Sequence, residues 1–191
     1  MILMRHRKAN RYKNFDYSYN GIYFVTICSK NREELFGYIT ESKMNLNDFG
    51  VIAKQCWTDI PLHFSHVILD RFIVMPNHIH GILIIKRPVQ LPPIENKNGP
   101  HVCGHYRYGG VKEYGNDNKT KSYLSKVIQQ YKAVVTRNIN RIQDSCIMQW
   151  QRSYYERIIR NEKEMKDRRG YIINNPLNWV EDIENPRNKN R

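Results

Sequence analysis

The tripeptide His78-Ile79-His80 carries the most chemistry in this sequence. On an extended strand alternate side chains share a face, with their Cα atoms about 6.6 Å apart. Two imidazoles placed that way can converge on one metal ion, while Ile79 points to the opposite face and into a core. A nearby carboxamide or carboxylate would suit such a site to Mg²⁺ or Mn²⁺. Taken alone, the pattern also describes two surface histidines beside a turn. Other candidate ligands are weaker. His101-Val102-Cys103-Gly104-His105 has no matching second half at zinc spacing. His6, His63 and His66 stand outside any partner pattern and read as surface or satisfied polar groups. Cys28, Cys56, Cys103 and Cys146 are scattered, form no Cys-x-x-Cys pair, and read as reduced thiols that mostly fill core.

The histidine pair needs a scaffold, and the hydrophobic pattern supplies one. Ile22 to Cys28 is rich in β-branched and aromatic residues and predicts a buried strand. Phe49, Ile52, Ala53, Cys56, Trp57 and Ile60 recur at steps of three and four, predicting a helix capped by Asn47 or Asp48 and stopped by Pro61. Val67–Met75 and His78–Ile85 flank the turn dipeptide Pro76-Asn77, predicting a hairpin. From Arg87 to Thr120 the composition turns to Pro, Gly, Asn, Lys and Tyr without period, predicting an insertion or mobile loop. A second helix is expected from about Lys121 to Ile142, a short strand-like piece over roughly Met148 to Ile159, and a third helix from near Asn161 to Asn175, before Pro176. The chain after Trp179 reads as loose. This order gives an α+β, ferredoxin-like split β-α-β fold, an antiparallel sheet with helices packed on one face. The expected organisation is a basic arm over residues 1–20, one domain over 21–182 that contains the insertion at 87–120, and a basic tail over 183–191.

Charge points to the partner. The 191 residues hold 31 Lys+Arg against 18 Asp+Glu, a net +13 with histidine neutral. Such an excess suits a polyanion, because neutralised phosphates release counterions, although it would also suit an anionic membrane surface. No apolar run reaches the roughly 18 residues of a spanning helix. The start, Met-Ile-Leu-Met-Arg-His-Arg-Lys, has its basic residues after a very short apolar stub, the wrong order for a secretory signal. A cytoplasmic protein is expected, associated with the nucleoid when bound to DNA. Arg137, Arg152, Arg157 and Arg160 interleave with Tyr154 and Tyr155, and charge beside aromatic planes fits single-stranded DNA.

Three separated segments resemble one family. Val74-Met75-Pro76-Asn77-His78-Ile79-His80-Gly81-Ile82-Leu83 resembles the signature strand of the single-tyrosine HUH transposases, named for His–hydrophobe–His, and most of all their REP-associated tyrosine branch. Trp150 to Glu162, followed by Tyr171-Ile172-Ile173-Asn174-Asn175-Pro176 and Trp179, is similar to a second family motif; Tyr131 to Asn140 is a weaker third. Together they span about residues 20–182, with the 87–120 insertion outside them. The resemblance implies that Tyr171 is the nucleophile, with Tyr154 and Tyr155 as rivals. It implies that Asn175, or failing it Asn174, joins His78 and His80 around Mg²⁺ or Mn²⁺. It further implies an enzyme that cleaves and rejoins single-stranded DNA near hairpins of repetitive palindromic elements, through a covalent 5′-phosphotyrosine, as a monomer or homodimer. Two other readings remain beside it: a non-catalytic nucleic-acid-binding module on the same scaffold, and a domesticated DNA-binding regulator. The first is disfavoured because the chain lacks the Gly-Phe-Gly-Phe-like signature of RNA-binding sheets.

Overall fold

The computed structural model describes residues 20–86, 122–143 and 146–188. The expected arm before Asn20, the insertion at 87–120 with His101, Cys103 and His105, and residues 189–191 lie outside the described residues.

The first strand, β1 (Gly21–Cys28), is followed by a small hairpin of β2 (Gly37–Thr40) and β3 (Lys43–Leu46) that the sequence pattern does not announce. Helix α1 (Asp48–Thr58) begins where the Asn47 side chain accepts from the Gly50 amide at 2.9 Å. Pro61 does not end the helical region as expected. Its fixed φ and missing amide suit a first turn, and it opens the short α2 (Ile60–His63) instead. Strands β4 (Val67–Val74) and β5 (His78–Ile85) form the expected hairpin around Pro76-Asn77. Helix α3 (Tyr123–Gln143), strand β6 (Tyr155–Ile159) and helix α4 (Glu162–Asn174) complete the order.

The main sheet runs β4-β5-β1-β6 with every neighbouring pair antiparallel. The two central strands are the hydrophobic ones, β1 and β5, in register from Gly21 opposite Ile85 to Cys28 opposite His78. Counting the sheet strands along the chain, the spatial order is second, third, first, fourth, which is the ferredoxin-like arrangement.

Strand alternation then divides the molecule. Tyr23, Val25 and Ile27 of β1, with Ile79, Leu83 and Ile85 of β5, meet Ala53 and Trp57 of α1 and Leu124, Ile128, Tyr131 and Val135 of α3 in the main core. The other face of the same strands carries Phe24 and Ile82, which meet Met165 and Ile172 of α4. Helices α1 and α3 thus share one face, as expected, whereas α4 covers the opposite one. The difference follows from Met165 and Ile172, seven residues apart on α4 and therefore on one side of it. After α4 the chain does not run loose: Trp179–Glu181 and Pro186–Asn188 form 3₁₀ turns, and Asp182 and Asn185 are buried. No described helix is long and apolar enough to cross a membrane.

Candidate active site

His78 and His80 leave β5 on the α4 face, and their Nε2 atoms converge to 3.0 Å. Both rings are buried, 0% and 2% exposed, so the strand does not hold a surface pair. Their outward nitrogens are fixed. Asn77 donates through Nδ2 to the carbonyls of Arg32 (3.1 Å) and Glu184 (2.8 Å), which turns its Oδ1 toward His78 Nδ1 at 2.7 Å. An amide oxygen only accepts, so Nδ1 of His78 carries the proton and its Nε2 offers a lone pair. His80 is held similarly, its Nδ1 lying 2.8 Å from Thr26 Oγ1 on β1. Phe24 stacks on the His80 ring at 5.3 Å. Burial and the nearby Arg32 guanidinium push the His78 imidazole down to about 3. Burial and the neighbouring His78 push His80 down as well. The pair is therefore neutral at physiological pH, the form that binds metal.

Helix α4 delivers the rest. Its start is capped by Asn161, whose side chain accepts from the Glu164 amide at 2.8 Å. Its body is tied to the sheet edge by Arg169, which donates through Nε (2.8 Å) and a terminal nitrogen (2.6 Å) to both oxygens of Asp70. Asp70 can reach outward because the β4–β5 register shifts between Leu69 and Phe72. So anchored, α4 sets the Tyr171 hydroxyl 3.3 Å from His80 Nε2. Four residues on, and one turn along the same face, Asn175 is 1% exposed, whereas Asn174 is exposed. Past Pro176 the chain folds back so that Asp182 Oδ2 accepts from Asn175 Nδ2 (2.8 Å) and from the Tyr171 hydroxyl (3.5 Å). Burial and the Asp182 charge push the Tyr171 phenol up to about 12.

The ligand atoms of His78, His80 and Asp182 all lie within 4.8 Å of one another. Asn175 Oδ1 is buried and has no hydrogen-bond partner among the described residues. Two imidazole nitrogens, a carboxylate and an unsatisfied amide oxygen form a mixed donor set that could hold a divalent metal ion. Asp182 had no sequence signal; it follows a stretch without period, and only the fold-back after Pro176 brings it to the site.

The expected DNA-contacting residues divide. Tyr155 and Arg157 pair with Thr26 and Phe24 across β1–β6 and so lie on the histidine face. Arg152 and Arg160 are exposed at the two ends of that segment. Tyr154 faces the main core instead, its hydroxyl 3.1 Å from Ser125 Oγ on α3. Arg137 is exposed on α3, across the sheet from Tyr171.

The chain is similar to known proteins in sequence and in fold. No protein-family model matches the chain. An uncharacterized protein of Haemophilus influenzae is 38% identical over 94% of this chain and 93% of its own length. A second protein of that organism, named "Putative REP-associated tyrosine transposase", is 26% identical over 85% of this chain and 73% of its own length. The solved structure of a REP-associated tyrosine transposase bound to a REP hairpin matches with a TM-score of 0.52, over 88% of this chain and 74% of that one, at 16% identity. The chain has a transposase fold and forms one family with the 38%-identical Haemophilus protein. It shares the fold of the REP-associated tyrosine transposase solved on a REP hairpin and is similar in sequence to a second Haemophilus protein that carries that name.

Proposed function

We propose that the protein is a metal-dependent transferase of single-stranded DNA, acting beside hairpins and using Tyr171 as nucleophile. The observation that carries this reading is the Tyr171 hydroxyl held 3.3 Å from one of two convergent, buried imidazoles. His78, His80, Asp182 and Asn175 would hold the ion, which supplies Lewis-acid polarisation of the phosphoryl group. The tyrosine oxygen attacks phosphorus in line. A Tyr–O–P bond forms, the bond from phosphorus to the 3′-oxygen breaks, and the strand stays on the protein as a 5′-phosphotyrosine. At physiological pH the phenol still carries its proton, and Asp182 Oδ2 stands where it can take it. Because one ester replaces another, a free 3′-hydroxyl can reverse the step and rejoin the strand. The resemblance of the matched transposase, solved on its REP hairpin, supports a hairpin substrate; the +13 charge supports DNA. Mg²⁺ or Mn²⁺, action as a monomer or homodimer, and a cytoplasmic, nucleoid-associated location complete the reading.

The test is covalent capture. Wild-type protein given labelled hairpin oligonucleotide and Mn²⁺ should yield a denaturant-resistant adduct mapping to Tyr171, and Tyr171→Phe should yield none while still binding the strand. An adduct on Tyr154 or Tyr155 would move the nucleophile. Cleavage without any adduct, or retention of activity by a His78→Ala/His80→Ala variant in chelator, would refute the mechanism.

A further inference from the structure

We propose that Arg168 is the phosphate-gripping residue of this site, its guanidinium holding a non-bridging oxygen of the phosphodiester that Tyr171 attacks; this rests on Tyr171 being the nucleophile.

An anionic substrate needs a cation here, and the surroundings are poor in free ones. Asp182 and Glu184 bring negative charge to the surroundings of Tyr171. The other nearby arginines are committed. Arg32 pairs with Glu184 at 2.9 Å and also donates to the Ile183 carbonyl at 2.8 Å. Arg169 is locked on both oxygens of Asp70. Arg157 lies 3.7 Å from Glu164.

Arg168 differs from all of these. None of the ion pairs among the described residues includes it. Its guanidinium carbon stands 5.1 Å from the Phe24 ring centroid. That same ring stacks on His80 and meets Tyr171 edge-on at 5.9 Å. One aromatic shelf therefore carries the cation, the candidate ligand and the candidate nucleophile. Arg168 precedes Tyr171 by three residues on α4, so the two side chains are neighbours on one helix face. Its positive charge acts on both Tyr171 and His80, so it reaches the reacting atoms electrically as well as by position.

The chemistry fits guanidinium. A guanidinium held over a ring face keeps its N–H donors, which form a fork that matches phosphate oxygens. Phe24 thus fixes the cation without neutralising it, which a carboxylate partner would do. The group would also stabilise the charge that builds on the phosphoryl oxygens during attack.

The experiment has a binding arm and a chemical arm. In the Tyr171→Phe background, where no strand can be captured, affinity is compared for a short single strand ending in a 5′-phosphate and its 5′-hydroxyl counterpart. The phosphate should bind several-fold tighter, and Arg168→Gln should erase that ratio while changing hydroxyl-strand affinity less than about threefold. With Tyr171 intact, Arg168→Gln should slow adduct formation about 100-fold, and Arg168→Lys should recover part of the rate by restoring charge without the fork. Melting midpoints check that both variants fold. Unchanged phosphate preference, or an adduct rate within threefold of wild type in Arg168→Gln, overturns the assignment of Arg168. Failure of wild type to form any adduct overturns the Tyr171 reading instead, and the binding arm still decides whether Arg168 holds phosphate.

Discussion

The two faces of the sheet solve different problems with the same two strands. On one, β1 and β5 contribute Tyr23, Val25, Ile27, Ile79 and Leu83 to a core closed by Trp57 and Tyr131, whose rings meet edge-on at 5.2 Å. On the other, residues one position away supply Thr26, His78 and His80, and the apolar remainder is the small group of Phe24, Ile82, Ile159, Met165 and Ile172. The first face is apolar and buried; the second places polar groups at low dielectric, where each must be bonded or else cost stability. A strand pinned so firmly from behind can hold two buried imidazoles 3.0 Å apart in front. Stability and chemistry are separated by a half-period of the pleat.

That division can be broken from either side. The largest effect should come from Trp57→Ala, which empties a fully buried site behind β5. Loss of such a side chain costs about 3–5 kcal/mol, so the melting midpoint should fall by roughly 10 °C. If the faces are independent, the folded variant should still capture DNA at low temperature; a dead but folded Trp57→Ala would show that the core sets the site geometry directly.

A smaller effect should come from acid, and from the histidine face alone. His78 is pushed from 6.5 to about 3 in the fold, so the unfolded chain binds the extra proton and stability is lost as pH falls below 6.5. The linkage relation gives a loss of about 1 kcal/mol from this group on going from pH 6.5 to roughly 5.5. Chelator-treated protein should show this loss in denaturant melts, with His80 adding to it, and His78→Gln should remove the His78 share. An equal slope in His78→Gln would place the acid sensitivity elsewhere.

The smallest effect should come from Asp70→Asn. The Arg169–Asp70 pair is bidentate but partly exposed, at 45% and 16% for the two side chains. Exposed pairs contribute about 0.2–1 kcal/mol, so the midpoint should move only a few degrees, and high salt should shrink the difference. A loss as large as that of Trp57→Ala would mean that α4 depends on this one contact for its place.

How much of this was legible in the sequence follows the same division. The strands β1 and β5 and the helix α3 are marked by long apolar patterns, and the alternation that sends Ile79 inward and the histidines outward is a two-residue period. Tyr171 and Asn175 were legible only through resemblance, since α4 carries few apolar residues to betray its face. The hairpin of β2 and β3 was not legible. Its turn residues Glu41 and Ser42 both adopt positive φ, at 49° and 58°, where Asn-Gly would have been the readable signal. Asp182 escaped for another reason: its role comes from a chain reversal in a segment without period, and no local pattern records which distant groups such a reversal meets. Pro61 misled because proline reads equally as the end of one helix and the first turn of the next.

Asn77 gives the hairpin turn a further meaning. One carboxamide there touches the loop after β1 through Arg32, the segment after α4 through Glu184, and the ring of His78. Three stretches of chain far apart in sequence are thereby fastened at a single planar group, and the fastening is also a statement about where a hydrogen atom sits. If either carbonyl withdrew, the amide could rotate by half a turn, present its nitrogen to the imidazole, and drive the ring to its other tautomer. The site would then keep its shape while exchanging a lone pair for a hydrogen. In this molecule the integrity of remote loops is thus written into the electronic state of one histidine, and a local loosening is converted into a change of ligand character before any atom of the site has moved far.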